Sequence, residues 1–218
     1  MKINIAIDGP SAAGKSTIAA LLAKKFHLTH LDTGAMYRCC AYAAIQQKIA
    51  LDDEQALNEM VKSLNIHFED KEVYIDNENV SLEIRNNDIS MAASKVSAFA
   101  KVREALVAMQ QEIAKEKGYI LDGRDIGTVV LPNADVKIYM VASVEARAKR
   151  RYQEYVQKGI TADYDTIFQD IVQRDYQDTH RKASPLQKAD DAIEIDTSNL
   201  SIDEVVNQIT EIISEKCR

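Results

Sequence analysis

The chain has 218 residues, 46% of them hydrophobic and 28% charged, which is the composition of an ordinary globular protein with a self-sufficient core. Its formal charge of −7 argues against a general nucleic-acid-binding or anionic-membrane-binding surface, so we expect any basic cluster to be local and to serve a small anion. An odd count of three cysteines excludes a disulfide framework, and we see no signal peptide or transmembrane stretch. We therefore expect a cytoplasmic protein.

Strand and helix patterns alternate at the start of the chain. Apolar runs bounded by polar residues predict strands, and apolar residues at a spacing of three to four predict helices. The predicted strands are residues 2–8 and 27–32, and the predicted helices are residues 14–26, 35–49 and 54–64.

The pattern then changes to short segments in which apolar and polar residues alternate. Residues 66–68, 72–75 and 80–84 predict a small antiparallel meander, with turns at residues 69–71 and 76–79. This meander, residues 63–85, interrupts the strand-helix alternation as an insertion. Helical spacing returns over residues 86–117, and we expect two helices separated near residues 97–100.

The last part of the chain returns to strand-helix alternation. Strands are predicted at residues 119–122, 136–141 and 192–195, helices at 143–158 and 163–180, and a closing helix capped by Ser201 that extends to about residue 216. Alternating strands and helices predict an α/β protein with a parallel sheet of five strands.

A phosphate-binding loop follows the first strand. The sequence GPSAAGKST matches G-x-x-x-x-G-K-[ST] between a strand and a helix. Its residues are Gly9, Pro10, Ser11, Ala12, Ala13, Gly14, Lys15, Ser16 and Thr17. In such a loop the backbone N–H groups surround a β-phosphate, the lysine reaches the β- and γ-phosphates, and the serine binds Mg²⁺. The alternative is a glycine-rich turn that binds nothing.

Polar clusters follow the second and third strands of the predicted sheet. They are residues 32–38 (DTGAMYR) and 122–128 (DGRDIGT). Because strand carboxyl ends line the ligand crevice of a parallel sheet, we expect both clusters near the loop. Ordinary turn chemistry explains the glycines. It does not explain the adjacent pair Arg124 and Asp125, which we expect a ligand to complete.

Two further clusters lie in the predicted helices near the C-terminus. Arg174, Asp178 and Arg181 are spaced to share one helical face, where they form either a ligand site or a solvated salt-bridge ladder. Arg147, Arg150 and Arg151 form a second group, which we interpret as a mobile cover that brings positive charge to the site or as ordinary exposed arginines.

Together these segments resemble the motifs of the bacterial cytidylate kinase family. The phosphate loop, DTGAMYR, DGRDIGTVV at 122–130 and RDYQDTHR at 174–181 occur in that family's order and at similar spacing, over essentially the whole chain. The resemblance implies a P-loop kinase with a three-layer α/β/α core of about residues 1–62 and 100–218. It also implies an inserted α+β monophosphate-binding region at about 63–99 and a lid at about 147–175, all within one domain.

The resemblance also implies which residues bind the substrates. ATP is assigned to the loop with Arg147 and Arg151, Mg²⁺ to Ser16, and the catalytic roles to Lys15, Arg124 and Arg181. The phosphate of CMP is assigned to Arg38, Arg124 and Arg181, the cytosine to Ser94, Arg103 and Asp125, the ribose to Arg174 and Asp178, and a further contact to Thr33. The family often has serine at position 33 and glycine at position 16.

The implied reaction is transfer of the γ-phosphoryl group of MgATP to CMP or dCMP, which gives the diphosphate and ADP. Asp125 can accept a hydrogen bond from the cytosine amino group, whereas uracil would present an acceptor to it. The sequence provides no distinctive base, and we interpret His27, His30, His67 and His180 as structural or surface residues. Two alternatives stay open: a kinase for UMP, AMP or an alcohol, and a regulatory nucleotide-binding module. We expect a monomer.

Overall fold

The computed structural model describes residues 2–69 and 72–217. By its internal contacts the chain divides into two compact units, one formed by the residues up to Leu31 together with those from Ala114 onward, and the other by Asp32–Ile113. The elements of the first part, in chain order, are β1 (Ile5–Asp8), α1 (Lys15–Phe26), β2 (Thr29–Asp32), α2 (Thr33–Gln46), α3 (Glu54–Ser63), β3 (Ile66–Glu69), β4 (Glu72–Ile75), β5 (Glu78–Asn79), α4 (Asn87–Val96) and α5 (Ala100–Ile113). The remaining elements are β6 (Tyr119–Gly123), β7 (Val136–Val141), α6 (Val144–Gln157), α7 (Tyr164–His180), β8 (Ile193–Asp196) and α8 (Ile202–Lys216).

The first unit is built on a five-stranded parallel sheet with flanking helices. The strand order is β2-β6-β1-β7-β8, so β1 is central and pairs in parallel with β6 on one side and β7 on the other. Every residue of β1 is buried, as expected for a parallel strand that is covered on both faces. The predicted α/β class and the five core strands are confirmed.

Helices α1 and α8 pack on this sheet through one apolar core. The core joins side chains of the central strands to side chains of both helices, for example Ile7, Ile138, Leu22 and Ile209. Ser201 begins α8 with a capping box in which its hydroxyl accepts from the Glu204 N–H and the Glu204 carboxylate accepts from the Ser201 N–H. The predicted cap of the closing helix is confirmed.

The second unit contains α2 to α5 and the three-stranded meander β3-β4-β5. Asp32 caps α2 through the N–H of Ala35, and Asp53 caps α3 through the N–H of Ala56. Because Asp32 is the cap, α2 begins at Thr33, two residues before the predicted start. The predicted break between two helices near residues 97–100 is confirmed.

The predicted strand at 80–84 is wrong. The third strand of the meander is Glu78–Asn79, and the chain then turns into a 3₁₀-helix at Glu83–Arg85. The alternating apolar residues suggested one strand face, but Val80 and Ile84 are buried on a helical turn closed by the Ile84 N–H on the Val80 oxygen, while Leu82 is 81% exposed. The turn predicted at 69–71 lies in part outside the described residues, because positions 70 and 71 are not described.

The remaining boundaries differ by a few residues. The first strand begins at Ile5 rather than residue 2, the second at Thr29 rather than 27, and α2 ends at Gln46 rather than 49. Helix α7 ends at His180, so Arg181 lies just past it in an extended conformation. Among the residues that the structure describes, none of the helices is both long and apolar enough to cross a lipid bilayer.

Candidate active site

The loop from Gly9 to Gly14 joins the end of β1 to the start of α1. Gly9 has a φ of 151°, and a Cβ placed on it would lie 2.0 Å from the backbone oxygen of Met140, so only glycine fits there. Gly14 precedes α1 in the left-handed conformation and makes no side-chain cap. The first N–H groups of α1 therefore begin at a backbone turn of the kind that binds phosphate.

Several backbone carbonyl oxygens of the loop accept hydrogen bonds from side chains of the protein. Lys15 Nζ donates to the Pro10 oxygen at 2.7 Å, and Arg147 Nη1 donates to the Ser11 oxygen at 3.2 Å. The Thr197 hydroxyl donates to the Ala13 oxygen at 3.3 Å. These bonds fix the loop and engage carbonyl oxygens, the backbone groups that would repel an incoming anion.

Lys15 is held in a low-dielectric position. Its side chain is 6% exposed, and burial together with the nearby positive charge of Arg124 lowers its pKa to about 7, against the opposing effects of Asp122, Asp178 and Asp8. Lys15 begins α1 and Arg124 directly follows β6, yet the positive charge of Arg124 is close enough to disfavour that of Lys15. Converging cations of this kind are a suitable site for a phosphate.

Ser16 is linked to the end of β6. Its Oγ donates to Oδ2 of Asp122 at 2.7 Å, and Oδ1 of Asp122 lies 2.6 Å from Nε2 of His30. With its proton directed to Asp122, the Ser16 oxygen keeps its lone pairs for a hard cation such as Mg²⁺, which prefers oxygen ligands. Within the described part of the chain, no group of three or more His, Cys, Asp or Glu side chains could hold a metal ion.

Asp8, the last residue of β1, organises the segment after β6. Its two carboxylate oxygens each accept a hydrogen bond of 2.7 Å, from the N–H groups of Ile126 and Gly127. These N–H groups belong to a π-helical turn, Ile126–Val130, that begins directly after Arg124 and Asp125. Burial raises the pKa of Asp8 to about 6, although both N–H groups oppose that shift.

The adjacent pair Arg124 and Asp125 is neutralised by residues from the end of α7. Arg124 Nε donates to Oδ2 of Asp178 at 2.7 Å. Arg181 Nη1 lies 3.6 Å from Oδ1 of Asp178, and Arg181 Nη2 lies 3.9 Å from Oδ1 of Asp125. The protein therefore supplies opposite charges to the pair itself, so its charge is balanced without a ligand, and the contact of the pair with a ligand stays a prediction.

Electrostatics keep this cluster charged. Burial by itself would raise the pKa of Asp178, but Arg124, Arg181 and Arg174 lower it, and the net shift is downward. Burial likewise would lower the pKa of Arg124, but Asp178 raises it, and the net shift is upward. The structure thus brings Arg174, Asp178 and Arg181 together, although Arg181 does so from beyond the helix end and not from the single helical face that we predicted.

The three arginines of α6 have three different environments. Arg147 is buried and forms two hydrogen bonds with the Asp175 carboxylate, at 3.0 and 2.6 Å, besides its bond to the loop. Arg150 donates to the hydroxyl and the backbone oxygen of Thr197. Arg151 lies 3.7 Å from Glu154. Arg147 is therefore an internal tie between α6, α7 and the loop, and the description as an exposed arginine does not apply to it.

The other predicted substrate residues lie in the second unit. Arg38 Nη2 donates to Oδ2 of Asp32 at 2.8 Å across the first two turns of α2, and Thr33 is buried at the start of that helix. Arg103 is 3% exposed, lies 5.1 Å from the centroid of the Tyr37 ring, and donates through Nη1 to the Ser97 oxygen at 3.1 Å.

Ser94, the remaining predicted cytosine residue, lies in α4 of the same unit. Its backbone oxygen accepts a hydrogen bond of 2.8 Å from the Ser97 hydroxyl. Ser97, at the end of α4, thus contacts both Ser94 and Arg103.

Comparison with known proteins identifies the family. A family model described as cytidylate kinase matches residues 5–215. A cytidylate kinase from Geobacillus sp. (strain WCH70) is 50% identical over 218 residues, which cover 98% of this chain and 97% of that protein. The chain belongs to the cytidylate kinase family. The cytidylate kinase of Bacillus subtilis (strain 168), a further member, is 47% identical over 221 residues, which cover 100% of this chain and 99% of that protein.

A solved structure supports the fold of this cytidylate kinase family member. Shikimate kinase from Bacteroides thetaiotaomicron matches with a TM-score of 0.50 over 98% of this chain and 99% of that one. The sequence identity is 12%, so this likeness concerns the fold alone.

Several residues of the site had no assigned role at the level of sequence. Asp8 was the last residue of the first predicted strand, and Asp175 stood within the segment 174–181 without a role of its own. The structure makes Asp8 the acceptor for the turn after β6 and Asp175 the partner of Arg147. An acidic residue that ends an apolar strand just before the phosphate loop is a signal that could have identified Asp8.

Proposed function

We propose that this chain transfers the γ-phosphoryl group of MgATP to the 5′-phosphate of CMP or dCMP. Membership of the cytidylate kinase family supports this proposal. The observation that carries it is the convergence of the buried Lys15 with the half-buried Arg124, whose positive charge contributes to a Lys15 pKa of about 7. Anionic phosphate relieves that repulsion.

The chemistry of the reaction needs positioning and neutralisation of charge more than covalent catalysis. The acceptor is already an anionic phosphate oxygen, so no base has to remove a proton from it. Lys15, Arg124 and Arg181 neutralise charge on the transferring phosphoryl group and its neighbours. Ser16 holds Mg²⁺ together with the nucleotide phosphates, and the ion supplies further neutralisation of those phosphates when it is bound.

The acceptor nucleotide is bound by its three chemical parts. Arg38, Arg124 and Arg181 bind its phosphate, Arg174 and Asp178 its ribose, and Ser94, Arg103 and Asp125 its base, with Thr33 as a further contact. Asp125 accepts from the cytosine amino group, and Arg103 and Ser94 donate to its ring acceptors. Uracil would place an oxygen against Asp125, which makes the site selective against it.

The donor nucleotide is bound by residues 9–17 together with Arg147 and Arg151. In this proposal residues 147–175 act as a lid that excludes water, residues 63–99 as a monophosphate-binding region, and about 1–62 and 100–218 as the core. Arg147 must exchange its bonds to Asp175 and Ser11 in order to contact ATP. We further propose a monomer, and a reducing, cytoplasmic location that suits its three free cysteines.

A panel of nucleoside monophosphates at fixed MgATP, with coupled detection of ADP, tests the proposal. CMP and dCMP should give the highest kcat/KM, and a clear preference for AMP or UMP would contradict the assignment of cytosine. Lys15→Met should abolish turnover, because a phosphate-clamping cation can contribute ~10³ or more to kcat. Lys24→Met, an exposed lysine in the last turn of the same helix, is the matched control and should keep wild-type activity.

A further inference from the structure

A chain of hydrogen bonds connects the metal-binding hydroxyl to the edge of the sheet. It runs from Ser16 Oγ to Asp122 Oδ2 over 2.7 Å, and from Asp122 Oδ1 to His30 Nε2 over 2.6 Å. His30 lies in β2, the edge strand next to β6, and Asp122 lies in β6. The Asp122 side chain is 4% exposed and that of His30 is 21% exposed. Each oxygen of one buried carboxylate therefore has a donor.

The direction of these bonds follows from the chemistry of the groups. A carboxylate only accepts, so the Ser16 hydroxyl and the N–H at Nε2 of His30 both donate to Asp122. When the Ser16 oxygen binds a cation through its lone pairs, its proton must point to an acceptor. Asp122 is that acceptor. Rotation of its carboxylate about the last side-chain bond would move the accepting oxygen away from Ser16. The contact from His30 to Oδ1 of Asp122 opposes that rotation.

Asp122 is thus the partner that orients the hydroxyl of the proposed metal ligand Ser16. Groups that orient a metal ligand in this way typically change metal affinity by about 10–100-fold when they are removed.

We infer that His30 is a positioning residue for the divalent cation: it holds Asp122 so that Ser16 presents a lone pair to the metal. This inference rests on the proposed function only in the assignment of Ser16 to Mg²⁺. It replaces the interpretation of His30 as a structural or surface residue, because a purely structural histidine would not couple to metal binding.

The test compares two substitutions that differ in one donor group. His30→Gln keeps an N–H donor near the position of Nε2, whereas His30→Leu removes it. The affinity for the β,γ-imido analogue of ATP is measured by titration calorimetry, once with Mn²⁺ and once with EDTA. The ratio of the affinity with Mn²⁺ to the affinity with EDTA reports the contribution of the metal to nucleotide binding. The measurement needs neither turnover nor a monophosphate.

The inference predicts that His30→Leu lowers this ratio by about 10-fold and that His30→Gln restores most of it, with the affinity in EDTA unchanged in both. His30→Phe, which keeps a ring but no donor, should behave like His30→Leu and serves if the leucine variant folds poorly. A wild-type ratio in His30→Leu, an equal loss in the leucine and glutamine variants, or a loss that persists in EDTA would overturn the inference. If the wild type did not phosphorylate CMP, the proposed function would be wrong. The ratios of affinity with Mn²⁺ to affinity with EDTA could still be measured and would still test this inference.

Discussion

Lys15 should take up a proton when nucleotide binds. Its amino group is almost fully buried, and its pKa of about 7 reflects that burial and the repulsion from Arg124. At pH 8 a group with this pKa carries its proton on only about one molecule in ten. The phosphates of a bound nucleotide favour the charged form and return the pKa towards ~10, so binding at pH 8 should take up about 0.9 proton.

Calorimetric titration of ADP in buffers with different ionisation enthalpies measures this proton directly. The phosphates of ADP are fully ionised at pH 8, so they contribute no uptake of their own. Lys15→Arg is the matched control, because a guanidinium stays protonated and its uptake should be close to zero. Wild-type binding at pH 8 without proton uptake, or uptake of equal size in Lys15→Arg, would refute the account of a desolvated lysine beside a second cation.

Three further predictions concern the loop, the acid beneath it and the base site. Asp8 has a pKa raised above its unfolded value of 3.8 to about 6, so its stabilising effect is complete below ~4 and is lost as the pH rises to ~6. Asp8→Asn should therefore gain ~2 kcal/mol relative to wild type in the free energy of urea unfolding between these pH values. Gly9→Ala should lower the melting temperature and abolish activity, because the added Cβ would collide with a backbone carbonyl oxygen. Gly159→Ala is the control, since open space surrounds its Cβ. In the same melting assay it should lose only about 1–2 kcal/mol of stability, the cost of holding alanine in a left-handed conformation. Tyr37→Leu should raise the KM for CMP about 10-fold and reduce the preference for CMP over UMP, because Arg103 loses the aromatic ring beside it. Tyr37→Phe keeps the ring and should retain the wild-type KM and preference. An equal effect of the two substitutions would contradict the role of the ring.

Features that depend on local sequence were predictable. The spacing of a few neighbouring residues identifies the loop, its two glycines and the strand before it. The parallel sheet follows from the alternation of strands and helices along the chain. The meander failed at its third strand for a local reason as well. Val80 and Ile84 fit both an alternating and a four-residue period, and burial in the folded unit selected the helical one.

Pairing across long sequence separations was not predictable. Arg124 and Asp178 are 54 positions apart, and only the fold shows that the end of α7 neutralises the arginine after β6. The adjacent charges at 124 and 125 suggested a missing ligand because sequence alone does not reveal such partners. Asp8 was overlooked for the same reason, since its partners at 126 and 127 lie 118 and 119 positions away.

The positions of the candidate arginines were predicted better than their contacts. Arg147 was selected as part of a positively charged cover, and the structure buries it between Asp175 and the loop. Periodicity places a residue on a helix, but the surface that the helix face meets is set by the packing of α6 on the rest of the unit.

The most direct test of the central claim is the stoichiometry of the products. Purified protein is incubated with MgATP and CMP, and CDP and ADP are separated and quantified over time. The account predicts that CDP and ADP accumulate one to one, with no ADP formed beyond CDP and with neither product formed by Lys15→Met. ADP that accumulates without CDP would identify a nucleotide hydrolase or switch, and it would contradict the assignment of phosphoryl transfer to cytidine monophosphates.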